Sequence, residues 1–174
     1  MLRNTLCPVC EEARAAREKA EAERLRGLEM KAKWEALCPS DYRKHDPARL
    51  PANAPLADVL AWQYGPKGLL AIGPTAAGKT RCMFLLIKRL LEEGRDVRVL
   101  NCWSFGHECI RRFREGTGAE WAEALAEVEV CFFDDFGKMP LTERVEAELS
   151  GVIEWRTANE LPILATSNMT GAGL

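Results

Sequence analysis

The chain has 174 residues, 47% of them apolar, and a formal net charge of −2 at pH 7. That length suits one domain with an appendage, the apolar share supports a core, and the near-neutral charge excludes a global pull toward nucleic acid, so any such contact needs a local patch. No apolar run is long enough to cross a bilayer, the first residues lack a signal-peptide stretch, and seven cysteines, an odd number with Cys82, Cys109 and Cys131 inside apolar patterns, point to reduced thiols in the cytoplasm.

In chain order, Cys7-Pro8-Val9-Cys10 has the C-x-x-C spacing of one zinc knuckle. A structural zinc wants four ligands, and only Cys38 and His45 lie nearby, so zinc on Cys7 and Cys10 stands beside the simpler expectation of free thiols. Residues 11–37 are rich in Glu, Ala, Arg and Lys and predict one long helix. Arg14–Glu18, Lys19–Glu23 and Glu29–Lys33 can support it at i, i+4. So polar a helix is a solvated arm or an element that docks a partner. Pro39, Pro47, Pro51 and Pro55 interrupt helix signals over residues 38–55, which read as a linker. The expected division is therefore 1–37 as the arm, 38–55 as the linker and 56–174 as the main domain.

A short helix is expected over 56–64, with Val59, Leu60 and Trp62 turned inward. Next comes an apolar strand, 68–72, running into Gly73-Pro74-Thr75-Ala76-Ala77-Gly78-Lys79-Thr80-Arg81. This stretch fits G-x-x-x-x-G-K-S/T, a phosphate-binding loop between strand and helix. Gly73 and Gly78 let the backbone curl and turn its N–H groups inward, and the helix behind adds its positive end. Lys79 brings a full positive charge toward the outer phosphates, and Thr80 offers a hydroxyl to Mg²⁺. The following helix carries an apolar stripe (Cys82, Met83, Leu85, Leu86, Leu90) and stops at Gly94.

Beyond it, strands are expected over 97–100, 128–133 and 161–166, and helices over 105–115 (capped by Ser104), 119–126 and 142–157. Alternating strands and helices predict a parallel sheet covered on both faces, with any ligand at the carboxyl ends of the strands. The loop, Asp134 and Ser167-Asn168 all fall there. Cys131-Phe132-Phe133-Asp134-Asp135 is an apolar strand ending in two carboxylates, the Walker B pattern. Asp134 is placed to hold Mg²⁺ opposite Thr80, and Asp135 to polarise an attacking water.

The ordered set GPTAAGKT, FFDDFGK, LTERVEAEL and LPILATSN resembles the DnaC/IstB-like group of AAA+ ATPases, over residues 56–168. The resemblance implies a P-loop NTPase core of AAA+ type with strand order 1-4-3-2, a fifth strand beside the first, and Asn168 as a sensor of the γ-phosphate. It implies Mg·ATP as ligand, with a replicative DNA helicase, single-stranded DNA and further copies bridged through ATP sites as partners. Asp135 stands where the group commonly has Glu, one methylene longer. The group's fifth strand, arginine finger, second sensor and helical lid would lie beyond Asn168, which only six residues follow. The fifth strand is expected to be missing and the chain to be a truncated form. Arg144 and Arg156 remain as cations that could face a neighbour. Tyr64-Gly65-Pro66 could line the adenine site by the same resemblance, although packing is the plainer expectation.

Arg111-Arg112-Phe113-Arg114 is the one local basic run with an aromatic inside it. Arg111, Arg112 and Arg114 are candidate single-stranded DNA contacts, against the alternative of a solvated helix face with Phe113 in the core. His107 reads as a surface residue. Three functions stay open: an ATP-hydrolysing helicase loader, a transposition helper ATPase, and an adaptor that binds nucleotide without turning it over.

Overall fold

The computed structural model describes residues 8–43, 50–137 and 142–169, with the side chains of residues 8–10 left aside. Cys7 and His45 lie outside those residues, as does the Cys10 side chain.

The first helix, α1 (Pro8–Leu37), is followed by a one-turn helix, α2 (Ser40–Arg43), and a short α3 (Leu56–Ala61). Strands and helices then alternate: β1 (Leu69–Ile72), α4 (Lys79–Glu92), β2 (Val97–Asn101), α5 (Cys102–Arg114), α6 (Gly118–Glu127), β3 (Val130–Asp134), α7 (Glu143–Ala158) and β4 (Ile163–Ser167). Among the described residues the sheet has four parallel strands in the order β1-β4-β3-β2. That is the expected order.

The strand that carries the acidic pair sits deepest, because its apolar residues serve both faces. Phe132 joins α4 on one side, where its ring meets Phe84 edge-on at 5.8 Å. Phe133 joins α5 on the other and meets Phe105 at 6.2 Å. One buried cluster thus lies under α3 and α4, and a second under α5, α6 and α7. Alternation along β3 is what divides a single apolar run between two cores.

Helix ends follow local chemistry. Gly94 takes φ +81 after α4, and the Arg95 and Gly94 N–H groups bond back to the Leu90 and Leu91 carbonyls. This is a glycine C-cap, as expected. At α5 the cap differs from the expectation: Asn101, not Ser104, accepts the Trp103 N–H at 3.0 Å, and the helix begins three residues earlier than read. The strand's last residue doubles as the cap, which leaves almost no loop. At α7, Thr142 accepts from the Val145 N–H, a regular hydroxyl cap.

The arm is two things at once. Residues 11–29 of α1 are exposed, with Arg14–Glu18 paired at 2.7 Å. Met30, Trp34 and Leu37 instead pack on the core, and Cys38 is buried in it. Tyr42, Leu50 and Ala54 from the proline-rich stretch join the same cluster. Sequence periodicity misses this because so few apolar residues mark the docked end. The five described cysteines, Cys38, Cys82, Cys102, Cys109 and Cys131, are free and buried. Burial pushes Cys38 up to about 11, and Cys102 and Cys131 up to about 12. These thiols stay protonated and serve as packing groups. Among the described residues no helix is long and apolar enough to cross a membrane.

Candidate functional site

Parallel register puts Ile72, Ser167, Asp134 and Asn101 along one rim of the sheet. The loop between β1 and α4 rises from this rim. The Gly73 N–H bonds the Ser167 carbonyl at 3.2 Å, which ties the loop's start to β4. Ala76 takes φ +66 and Gly78 φ +81. Glycine is needed at 78 on two counts, since an added Cβ would also stand 3.1 Å from Ala54 and 3.2 Å from Pro51. Ala76 adopts the left-handed conformation despite its Cβ, a local strain of about 1–2 kcal/mol.

Lys79 opens α4 and is 6% exposed. Its ammonium donates to the Gly73 carbonyl at 2.9 Å, to the Pro74 carbonyl at 2.8 Å and to Asn168 Oδ1 at 2.7 Å. A neighbouring pair of elements builds the acidic half. The Thr80 hydroxyl donates to Asp134 Oδ1 at 2.7 Å. The Thr166 hydroxyl donates to the same oxygen at 2.6 Å and accepts the Asp135 N–H at 3.0 Å. Asp135 sits at φ +59, and its Oδ1 is 3.4 Å from Asn168 Nδ2. Thr166 therefore orients the Asp134 carboxylate and fixes the main chain of Asp135. Sequence reading passed over it because a threonine near a strand's end looks like ordinary β-propensity.

Lys79, Thr80, Asp135 and Asn168 line a pocket of about 450 Å³ together with Thr75, Ala76, Ala77, Gly78, Arg81, Tyr42 and Pro51, and Asp134 lies behind Thr80. That size suits a small ligand. The wall carries curled backbone amides, a helix N-terminus and an ammonium, together with the Asp135 carboxylate. An anionic group with a bound divalent cation complements it. For magnesium the donor set fits: Thr80 and Asp134 offer hard oxygens, and the described residues hold no cluster of three or more His, Cys, Asp or Glu. An ion that takes its other ligands from phosphate and water needs no more. Zinc on Cys7 and Cys10 falls outside the described residues, and Cys38 is committed to the core.

Four other expectations resolve as follows. Tyr64 is not in this pocket; the Arg95 guanidinium lies 3.9 Å from its ring centre, beside the amino end of β2. Arg156 does not face outward. It is fully buried and donates to five backbone carbonyls, those of Leu125, Ala126, Val128, Glu129 and Pro162. Arg144 lies over Phe113 at 4.0 Å, and Phe113 packs against the second core. In the basic run, Arg111 pairs with Glu108 and Glu115, and Arg112 pairs with Glu108. Arg114 is exposed, as is His107. Nearby Trp103 is 63% exposed, and the chain reading had not singled it out.

No family model and no curated protein matches the sequence. Solved structures do match in fold. The DnaC helicase loader superposes with a TM-score of 0.63 at 18% identity, over 76% of this chain and 81% of that one. DnaI superposes with 0.63 at 17% identity, over 76% and 77%. AMPPCP-bound DnaA from Aquifex aeolicus gives 0.58 at 19% identity, over 66% of this chain. This chain spans only 36% of that DnaA structure. At under 20% identity these likenesses show the fold, and the fold described above is the one shared by the DnaC, DnaI and DnaA structures.

Proposed function

We propose that this chain is an ATP-binding AAA+ protein of the helicase-loader type that hydrolyses Mg·ATP when assembled with its partners. One observation carries the reading. Lys79 bonds Asn168 across 89 residues of sequence, and Thr80 bonds Asp134 across 54, both at the rim of one pocket. Chain folding has brought the loop cation, the hydroxyl and the acidic pair to a single point.

The loop amides from Gly73, Pro74, Thr75, Ala76, Ala77 and Gly78 onward and the positive end of α4 hold the phosphates, with proline lending its carbonyl but no donor. Lys79 exchanges carbonyl partners for the outer phosphate oxygens. Arg81 lines the same wall. Thr80 and Asp134 hold magnesium, which when bound offsets phosphate charge and polarises the phosphoryl oxygens. Asp135 orients water for in-line attack, and Asn168 contacts the γ-phosphate or that water. The new bond joins the water oxygen to phosphorus, the bond to the β-phosphate oxygen breaks, and ADP and phosphate leave.

The exposed part of α1 serves as the partner-docking arm, toward a replicative helicase. Arg111, Arg112 and Arg114 supply single-stranded DNA contacts, self-association runs through the nucleotide sites, and the setting is cytoplasmic. Likeness in fold to the DnaC helicase loader, and to a DnaA bound to AMPPCP and single-stranded DNA, supports the helicase and DNA assignments. Glutamate pairing of Arg111 and Arg112 must be exchanged for phosphate pairing, so their contribution to the salt dependence is modest.

Phosphate release from Mg·ATP, with and without single-stranded DNA, tests the reading. Turnover that Lys79→Ala abolishes supports it. Binding without turnover supports a second reading, a nucleotide-dependent adaptor, which the short Asp135 side chain favours. Absence of heat on titrating Mg·ATP at millimolar concentration into folded protein overturns both.

A further inference from the structure

Two pocket residues, Tyr42 and Pro51, come from outside the α/β core. Tyr42 lies on α2 and lines the pocket with Thr80, Arg81, Asp135 and Asn168. Its ring stacks on Phe84, with centres 5.3 Å apart and planes 29° apart. Phe84 is one turn after Thr80 and touches Phe132, two residues before Asp134. This places Tyr42 on the Thr80–Asp134 flank of α4. Pro51 and Ala54 approach Gly78 instead. Arg81 sits 5.8 Å from the centre of the Tyr42 ring. Burial first, then the charge of Asp134, raises the phenol's pKa, with Arg81 opposing. The hydroxyl therefore stays protonated and can donate. The phenol shares its pocket with the loop backbone and Lys79, where a bound phosphate oxyanion would be its acceptor.

We propose that Tyr42 is a further positioning residue of the nucleotide site, donating its hydroxyl to the terminal phosphate of a bound nucleoside triphosphate. The assignment rests on the nucleotide-binding reading and adds selectivity to it: Tyr42 favours triphosphate over diphosphate. It also connects the site to the arm. Trp34 of α1 meets the same Phe84 ring edge-on, with centres 6.3 Å apart. Phe84 is thus shared by the docked end of α1 and by the residue that meets the phosphate.

Tyr42→Phe keeps the ring and its stacking and removes only the donor. Calorimetry with Mg·ATP and with Mg·ADP, on wild type and variant, tests the assignment. The expected result is a loss of about tenfold in Mg·ATP affinity, the scale of one hydrogen bond to a charged group, with Mg·ADP affinity within about twofold of wild type. Equal losses for both nucleotides, or no loss for either, overturn it. Melting temperature should barely move for Tyr42→Phe, whereas Tyr42→Ala, which also removes the stack, should lower it. Wild-type protein that binds neither nucleotide overturns the nucleotide reading itself and this assignment with it; wild-type binding without the Tyr42→Phe selectivity change overturns this assignment alone.

Discussion

The two ends of the sheet each bury a cation, and the two cations serve opposite purposes. At the carboxyl rim Lys79 donates to two loop carbonyls and an amide side chain, and it borders a pocket that the Asp135 carboxylate also lines. At the amino rim Arg156 donates to five main-chain carbonyls, and among the described residues no carboxylate pairs with it. Burial pulls its pKa down, and its Nε finds no partner among the described residues. A planar fork with five donors is suited to collecting carbonyls from the end of α6, the start of β3 and the turn before β4. A flexible ammonium is suited to changing partners. Burial of charge therefore does not identify a binding site; the availability of an exchangeable partner does.

Breaking the amino-rim lock should give the largest effect on stability. Arg156→Met fills much of the space but leaves several buried carbonyls without donors, at about 1–3 kcal/mol each. A net loss of at least about 3 kcal/mol is expected, or a fall of roughly 6–12 °C in melting temperature for a chain of this size. Chemical denaturation with a two-state fit checks it. Lys79→Ala should do the reverse: a fall of about 100-fold or more in Mg·ATP affinity, equivalent to about 2.7 kcal/mol, with melting temperature close to wild type. A Lys79 variant as unstable as the Arg156 variant would erase the distinction between the rims.

The carboxyl rim was legible in sequence because its chemistry is local. The loop from Gly73 to Thr80 and the pair Asp134-Asp135 follow apolar strands, so strand, turn and ligand positions are all set by near neighbours. Strand order and Asn168 came with the resemblance to DnaC-like proteins. The amino rim was not legible. Nothing in Ile153-Glu154-Trp155-Arg156 says that the arginine turns inward, since its five acceptors come from the end of α6, the turn into β3 and the turn before β4. Tyr42 was hidden for a similar reason. It stands in a proline-rich stretch that reads as a linker, and only tertiary packing against Phe84 brings it to the pocket.

A smaller effect separates holding a carboxylate from being one. Thr166→Val keeps shape but removes the hydroxyl that donates to Asp134 and accepts from the Asp135 N–H. The Asp135 N–H is then left without this acceptor, at a cost of about 1–2 kcal/mol. Asp134 loses one of its two hydroxyl donors, and the main chain of Asp135 loses an anchor. Turnover should fall by about tenfold while Mg·ATP affinity changes less, and Thr166→Ser should restore most of it. Steady-state phosphate release reports the split between kcat and KM. An unchanged kcat would mean that Thr80 alone suffices to orient Asp134.

The smallest expected effect returns to the amino rim and is a matter of pH. Glu129 accepts from Arg95 Nη1 at 2.8 Å and from the Asp96 N–H at 2.8 Å, which joins the turn before β2 to the start of β3. The main-chain donor first, and then Arg95, hold its pKa below the usual 4.5. A carboxylate with a depressed folded pKa stabilises above its unfolded pKa, and that contribution is lost as pH falls through the folded value. Glu129→Gln should therefore lower the melting temperature slightly at pH 7. The gap between variant and wild type should persist down to about pH 5 and close as the pH drops below 4.5. Both partners are more than a third exposed, so solvent and salt weaken the pair. Raising ionic strength at pH 7 should shrink the part of the gap due to Arg95 and leave the part due to the Asp96 N–H. A gap of constant size from pH 7 to pH 3 would assign the loss to packing and remove the charge from the account.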